Sequence, residues 1–316
     1  MPDRRLAEGQ WNLVYNGNGV HPAVDFLFGT RNTGYDLVEP YEVTYGDPEV
    51  GDVALPREDG IRLGQDYRST ATINFSIGVD TVDAARNAVG RYGANLDAVS
   101  RLGQAWRADA VRQRFGERAV LRTVQGGRGR RFYGRPRKFA PASSRLSRQG
   151  HTTVEASFLA AEDVAYDDRQ QTIRVDMAPA PHRGLVGPLH SPLSMTGPGA
   201  TKVPGEIVVG GDTATWPVLT FYGPVAMPQC EVLGRWKVSL NLVLNKGEWV
   251  RIDPRPLART VLRNNNASVA DALDRHSPLL ADMRLPLGRH DLILRGRDDT
   301  GTSYVTASWR DAYSFL

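Results

Sequence analysis

The residue types that most often carry out catalysis are scattered along this sequence and form no recognisable catalytic set. Six histidines occur without an i,i+4 pair or a neighbouring carboxylate pattern of the kind that binds zinc. The sequence contains neither a phosphate-binding loop nor a Gly-x-Ser-x-Gly nucleophile turn. Adjacent carboxylates on a strand point to opposite faces, which argues against an acid–base pair at Glu162-Asp163, Asp167-Asp168 or Asp298-Asp299. The sequence therefore predicts no enzyme, no metal site and no cofactor.

A second chemical pattern is a basic segment with interleaved aromatic residues. Between Arg114 and Lys138 the chain carries nine Arg or Lys residues and one acidic residue, Glu117. Such a segment suits contacts to phosphates and stacked bases, and it also suits a hairpin arm that packs on a neighbouring subunit. The whole chain has 39 basic and 35 acidic residues, and this near balance favours the subunit contact. The candidate contact residues are Arg128, Arg130, Arg131, Phe132, Tyr133 and Arg135.

Trp249, Arg251 and Asp253 form a third pattern, because alternate residues of a strand share one face. A surface aromatic ring beside planar polar groups is typical of a sugar-binding site. A tryptophan at such a position is just as often packed under a second layer. The alternative hypothesis is therefore a carbohydrate-binding module that recognises a cell-surface glycan through these residues.

The strands that must position these groups are clearest in residues 236–255. Apolar residues recur at every second position on both sides of residues 245–248, where Gly247 can take the positive φ of a short hairpin. The alternating residues are Val238, Leu240, Leu242, Leu244, Val250 and Ile252. The pattern predicts an antiparallel hairpin within a β-rich domain.

The N-terminal half combines strands with one helical zone. Residues 70–79 alternate as a half-buried strand does, and after Asp80, a candidate N-cap, apolar residues recur at helical spacing. Internal glycines favour two helices that meet near Gly93, with Asn95 capping the second. Strands at 119–124 and 131–139 then flank a flexible hairpin tip at 125–130.

Composition divides the chain into two predicted domains and excludes several classes of protein. Residues 178–205 are rich in Pro, Gly, His and Ser, which predicts a linker between an α+β domain at 1–177 and a β-sandwich at 206–316. The predicted fold class is therefore mainly β. No apolar run is long enough to cross a membrane and the N-terminus lacks a secretory signal. Cys230 is the single cysteine, so we expect synthesis in a reducing cytosol.

A series of short segments occurs in a characteristic order along the chain. They are Trp106-Arg107-Ala108-Asp109, Tyr133-Gly134-Arg135-Pro136-Arg137-Lys138-Phe139, Phe158-Leu159-Ala160-Ala161-Glu162-Asp163, Tyr166-Asp167-Asp168, Pro217-Val218-Leu219-Thr220-Phe221-Tyr222-Gly223-Pro224, Ile252-Asp253-Pro254-Arg255, Leu285-Pro286-Leu287-Gly288 and Ser308-Trp309-Arg310-Asp311-Ala312-Tyr313. Over nearly the whole chain this set resembles the distal tail protein family, or minor tail proteins, of long-tailed phages of actinobacteria. Two positions depart from the family pattern: Val164 replaces a proline, and Met283 replaces an aromatic residue.

The resemblance implies a fold for each domain. It implies an N-terminal belt β-sandwich with a helix and a protruding hairpin arm, six copies of which form a ring. It also implies a C-terminal galectin-like β-sandwich that projects outward. On this interpretation the arginine-rich hairpin at 119–139 is the arm that holds the ring together.

The resemblance also implies a structural role at the tip of a phage tail. The ring would join the tail tube to the tip or baseplate hub and to receptor-binding proteins, and the genome would only pass through its lumen. The expected location is the virion, after assembly in the host cytoplasm, without membrane association. Host glycans are the partners that the alternative hypothesis adds.

Overall fold

A computed structural model describes residues 4–177, 205–256 and 258–316. These residues form two compact units. The first comprises the chain up to Asp168 together with Tyr313–Leu316, and the second comprises Arg169–Ala312. Strands dominate both units, which confirms the predicted mainly β fold class.

The first unit is an antiparallel sheet with one long helix. Its elements are β1 (Trp11–Tyr15), β2 (Val24–Phe28), β3 (Tyr35–Leu37), β4 (Glu42–Tyr45), β5 (Val53–Ala54), β6 (Ile61–Arg62), β7 (Ala71–Asp80), α1 (Ala88–Arg107), α2 (Asp109–Arg112), β8 (Ala119–Gln125), β9 (Arg128–Ala142), β10 (His151–Ala160) and β11 (Ala165–Asp167). The main strand order is β2-β1-β8-β9-β10-β7-β3, with β4 also paired to β7 and β11 to β9.

Aromatic rings fill the core of the first unit. Trp11 lies edge-on to Phe75, with ring centroids 4.9 Å apart, and Trp106 of α1 lies 5.7 Å from Phe28. All four rings are essentially inaccessible to solvent. The indole N–H of Trp106 donates a 3.1 Å hydrogen bond to the carbonyl oxygen of Ser157 on β10. Burial of these rings is what attaches the helix to the sheet.

α1 runs without a break through Gly93, so the prediction of two helices meeting near Gly93 is wrong; the short α2 begins only after Ala108. Asn87 caps α1 by accepting a 2.6 Å hydrogen bond from the amide of Gly90. Asn95 is buried inside the helix, where its side chain donates to the carbonyl oxygen of Val79. Asn95 therefore resembles a cap in sequence but serves to attach α1 to β7, and tertiary packing outweighs the low helix propensity of glycine.

The second unit contains two sheets that face a shared core. Its elements are β12 (Gln171–Asp176), β13 (Gly205–Val209), β14 (Val218–Tyr222), β15 (Val225–Val232), β16 (Trp236–Ser239), β17 (Val243–Leu244), β18 (Trp249–Asp253), β19 (Thr260–Arg263), β20 (Gly288–Arg297) and β21 (Tyr304–Trp309), followed by β22 (Ala312–Tyr313) at its end. One sheet has the order β12-β21-β14-β18-β19 and the other β13-β20-β15-β16, with β17 also on β15. Phe221 and Ile252 of the first sheet share a core with Val238 and Leu292 of the second, as in a β-sandwich.

The segment 236–255 is not a hairpin, which corrects the sequence-based prediction. β16 and β17 pair with β15, whereas β18 pairs with β14 and β19 in the opposite sheet. The turn containing Gly247, at φ 85°, therefore carries the chain from one sheet to the other. Both strands turn apolar residues toward one core, so alternation alone cannot distinguish this arrangement from a hairpin.

One strand lies in a different unit from the one that composition suggested. β12 lies within the predicted domain 1–177, but it pairs along its length with β21 in the second unit. The predicted linker 178–205 lies outside the described residues except for Gly205, which begins β13. A shift in composition marks a loop but carries no information on strand pairing.

Candidate functional site

A group of exposed apolar side chains of the first unit lies in residues 46–69, between β4 and β7, which we call the acidic arm. β5 and β6 pair with each other, and Glu49 and Tyr67 exchange backbone hydrogen bonds of 2.8 and 2.9 Å nearer the base. The two branches approach closely at Gly51 and Gly64, where a side chain on Gly64 would meet the backbone of Gly51. The structure therefore shows a narrow hairpin in this segment.

Large apolar side chains of the acidic arm are exposed to solvent. Their exposed fractions are Val50 64%, Val53 64%, Ile61 58%, Leu63 77% and Tyr67 58%. The arm also carries six acidic and three basic residues. A two-stranded hairpin is marginally stable by itself in water, and contiguous exposed apolar residues mark contact surfaces. The acidic arm is therefore the strongest candidate for an assembly surface in the described part of the first unit.

The arginine-rich hairpin at 119–139 is integral to the sheet. β9 pairs with β8 on one side and with β10 and β11 on the other. Its turn consists of two residues, Gly126 and Gly127. Both have the positive φ that such a short turn requires, 57° and 73°. The predicted flexible tip at 125–130 is therefore a tight turn, whose two amides donate to the carboxylate of Glu8 at 2.6 and 2.9 Å.

Two of the predicted contact arginines are buried within the unit. Arg131 and Arg122 hold the carboxylate of Asp168 from two sides, with N–O distances of 2.6 to 3.0 Å. Burial alone would raise the pKa of Asp168, but the hydrogen bond from Arg122 and the charges of both arginines hold the pKa below its usual value. The guanidinium carbon of Arg130 lies 3.6 Å from the ring centroid of Tyr313. One guanidinium nitrogen of Arg130 lies 3.8 Å from a carboxylate oxygen of Asp167.

The other predicted contact residues differ in their exposure. Phe132 is completely buried in the core and has no surface to offer a neighbouring subunit. Tyr133 is half-buried against Tyr166. Arg135 donates to the carbonyl oxygens of residues 117 and 114, and Arg128 is exposed. Of the six predicted contact residues, Arg128 is exposed, Tyr133 and Arg135 are half-buried, and the other three are buried.

Two of the predicted glycan-binding residues, Arg251 and Asp253, are engaged with each other. Asp253 is buried, and its carboxylate accepts hydrogen bonds from Arg255 at 2.6 and 2.8 Å and from Arg251 at 3.3 Å. Burial raises the pKa of Asp253, but the hydrogen bonds and charges of these arginines outweigh it, so that the pKa is lowered. A carboxylate held in this way has little capacity left for sugar hydroxyl groups.

Aromatic rings beside Trp249 stack on one another. Trp249 is opposite Tyr222, which is opposite Tyr304 on the next strand. The two tyrosine rings are 4.5 Å apart and nearly parallel, and Arg174 covers the other face of Tyr304 at 3.7 Å. Both faces of Tyr304 are therefore occupied, whereas sugar rings stack on open aromatic faces. The geometry does not favour the glycan hypothesis.

Neither a metal-binding cluster nor a membrane-spanning helix occurs in the part of the chain that the structure describes. No group of three His, Cys, Asp or Glu side chains there could hold a metal ion. Among the helices of residues 4–177, 205–256 and 258–316, none has the length and apolar character to span a bilayer.

The comparisons place the fold in a recognised structural class. No protein-family model and no curated protein matches the chain. Dit, the gp 19.1 protein of phage SPP1, described as a paradigm of the hub adsorption apparatus in phages infecting Gram-positive bacteria, is similar over 97% of this chain and 99% of its own, with a TM-score of 0.54 and 12% identity. Chains of two activated phage P2 baseplate structures, with Ca and with Sr, cover the same shares with TM-scores of 0.49 and 0.46 and identities of 7% and 8%. The similarity to SPP1 Dit shows that the chain shares the fold of that protein.

Proposed function

We propose that this chain is a structural subunit of a phage tail tip. Six copies form a ring at the distal end of the tail, which joins the tail tube to the tip or baseplate hub and to receptor-binding proteins. The proposal gives the chain no catalytic role, no cofactor and no membrane contact. It places the protein in the virion after assembly in the host cytoplasm, with the genome passing through the ring.

The exposed acidic arm is the observation that carries this proposal. Five large apolar side chains that stay in water do not stabilise a monomer. Full burial of one such side chain in a subunit contact would favour association by about 1.5–3 kcal/mol. Burial of these side chains in a neighbouring subunit accounts for both the composition and the exposure of the arm. The fold shared with SPP1 Dit supports the same conclusion.

Removal of the acidic arm tests the proposal. Replacing residues 48–67 by a short Gly-Ser linker keeps the base of the arm, where the amide of Gly46 donates to the carbonyl oxygen of Thr70 at 2.9 Å. We expect rings of the wild-type chain in negative-stain images, with a mass near six subunits, and monomers of unchanged circular dichroism for the variant.

A matched control uses exposed apolar residues outside the first unit. Met227 and Val243, which are exposed in the second unit, are changed to serine. These changes should leave the ring intact. A wild-type chain that stays monomeric at high concentration and in the presence of its tail tube protein would contradict the proposed function, and so would a ring that forms without the arm.

A further inference from the structure

A strongly basic surface lies on the first unit at the turn between α2 and β8. We define it as the basic patch, formed by residues 112–118 of the turn and the neighbouring residues 135–138 of β9. Arg135 fixes the turn to the strand by donating to the carbonyl oxygens of residues 117 and 114, at 2.9 and 2.6 Å. Arg112 fixes it from the other side with a 2.6 Å bond to the carbonyl oxygen of Pro136.

Like charges are concentrated in the basic patch. It contains six basic residues and one acidic residue, Glu117. Arg114 lies 4.0 Å from Glu117, and both side chains are about half exposed. The pKa of Arg112 is lowered, first by burial and then by repulsion from Arg137 and Arg135. A partner that supplies carboxylates would relieve this repulsion.

Phe115 lies in the same turn with its ring fully exposed to solvent. An exposed phenylalanine among arginines needs a partner that offers apolar surface as well as negative charge. Nucleic acid would satisfy the charge, but it would leave the exposed apolar side chains of the acidic arm unexplained. Two surfaces of this one chain are complementary in both respects.

We infer that the acidic arm of one subunit binds the basic patch of the next subunit around the ring. The arm offers six carboxylates and exposed Ile61 and Leu63, and the basic patch offers six cationic groups and exposed Phe115. The inference rests on the proposed ring, because it assigns the two halves of the ring's repeated contact. The two surfaces belong to different segments, so the contact is heterologous, and each subunit gives one arm and receives one.

Charge reversal on each surface tests the inference. The patch variant carries Arg114→Glu and Arg137→Glu, and the arm variant carries Glu58→Arg and Asp59→Arg, all at exposed positions. Each variant alone places like charges against each other, so we expect its rings to dissociate at subunit concentrations on the order of 100-fold higher than the wild type, measured by mass photometry. A control, Arg235→Glu with Lys237→Glu in the second unit, should leave the ring unchanged.

Mixing the two variants gives the decisive measurement. In an alternating ring the acidic arm of the patch variant meets the unmodified patch of the arm variant, and the reversed arm meets the reversed patch. We therefore expect an equimolar mixture to form rings that neither variant forms alone, which misfolding of either variant could not produce.

The possible outcomes separate this inference from the proposed function. Rings that form in the patch variant and in the arm variant as well as in the wild type would overturn the inference and leave the proposed ring standing. Loss of rings in the patch variant without recovery in the mixture would also overturn it and would assign the basic patch to another partner, such as DNA. A wild-type chain that forms no ring at all refutes the proposed function itself.

Discussion

The paired arginines around Asp168 give the sharpest prediction about the stability of the first unit. Asp168→Asn keeps the size of the side chain but removes the charge that Arg122 and Arg131 share. These two side chains are only 5% and 8% exposed, so neither guanidinium can turn to water without disturbing the sheet. Removal of one partner of an ion pair lowers the free energy of unfolding by roughly 3–5 kcal/mol when the remaining charge is buried.

The magnitude should lie toward the upper end of this range, because one carboxylate serves two buried cations. The matched control is Asp163→Asn, since Asp163 lies 3.5 Å from Arg68, whose side chain is 63% exposed. An exposed pair of this kind contributes about 1 kcal/mol or less to the free energy of unfolding. Hydrogen exchange of the β8 and β9 amides, followed by mass spectrometry in the full chain, reports the free energy of opening of the first unit alone.

The dependence on pH gives a second test of the same contact. The pKa of Asp168 in the folded chain lies below its usual 3.8. The stabilisation is therefore present above pH 3.8 and is lost as the pH falls through the lower pKa of the folded state. We expect part of the acid-induced loss of stability to disappear in Asp168→Asn. An effect no larger than that of Asp163→Asn, with an unchanged acid profile, would refute this account.

Three further predictions concern single residues. Gly93→Ala, with open space around it, should stabilise α1 by about 0.5–1 kcal/mol. Gly103→Ala should stabilise the helix less, because its Cβ would lie 3.1 Å from the ring of Phe139; thermal unfolding of both variants compares them. Gly127→Val should cost about 1–2 kcal/mol by chemical denaturation, because φ is 73° there, and an unchanged midpoint would contradict the two-residue turn. Cys230 is buried, which raises the pKa of its thiol, so iodoacetamide at pH 8 should modify it only after unfolding.

Much of the fold could be predicted from local patterns. The alternation in residues 70–79 corresponds to β7, and the apolar residues of 236–255 are largely core residues, including Val238, Leu240 and Ile252. Pairing between strands could not be predicted in the same way. Two successive strands that bury their apolar faces in one core have the same sequence pattern whether they are neighbours in a sheet or lie in opposite sheets.

The proposed assembly surface was harder to predict than the fold. The arginine-rich hairpin drew attention because charge is easy to count, yet Arg122, Arg130 and Arg131 are buried beside Asp167 and Asp168, whose positions only the tertiary structure supplies. The acidic arm has short strands and many turn residues, so its sequence resembles a loop. The sequence feature that could have indicated a strand here is Ile61 and Leu63, two alternating apolar residues inside a polar segment.

The position of Arg130 has a consequence for how such a protein can change during evolution. The second unit is inserted between Asp168 and Tyr313, and the guanidinium of Arg130 contacts Tyr313 and lies 3.8 Å from Asp167. The points where the chain leaves and re-enters the first unit are therefore held side by side, by the side chain of Arg130 and by the pairing of β11 with β22. The inserted unit can be shortened, exchanged or lost while the host sheet stays continuous, so the two units can diverge at different rates under different selection.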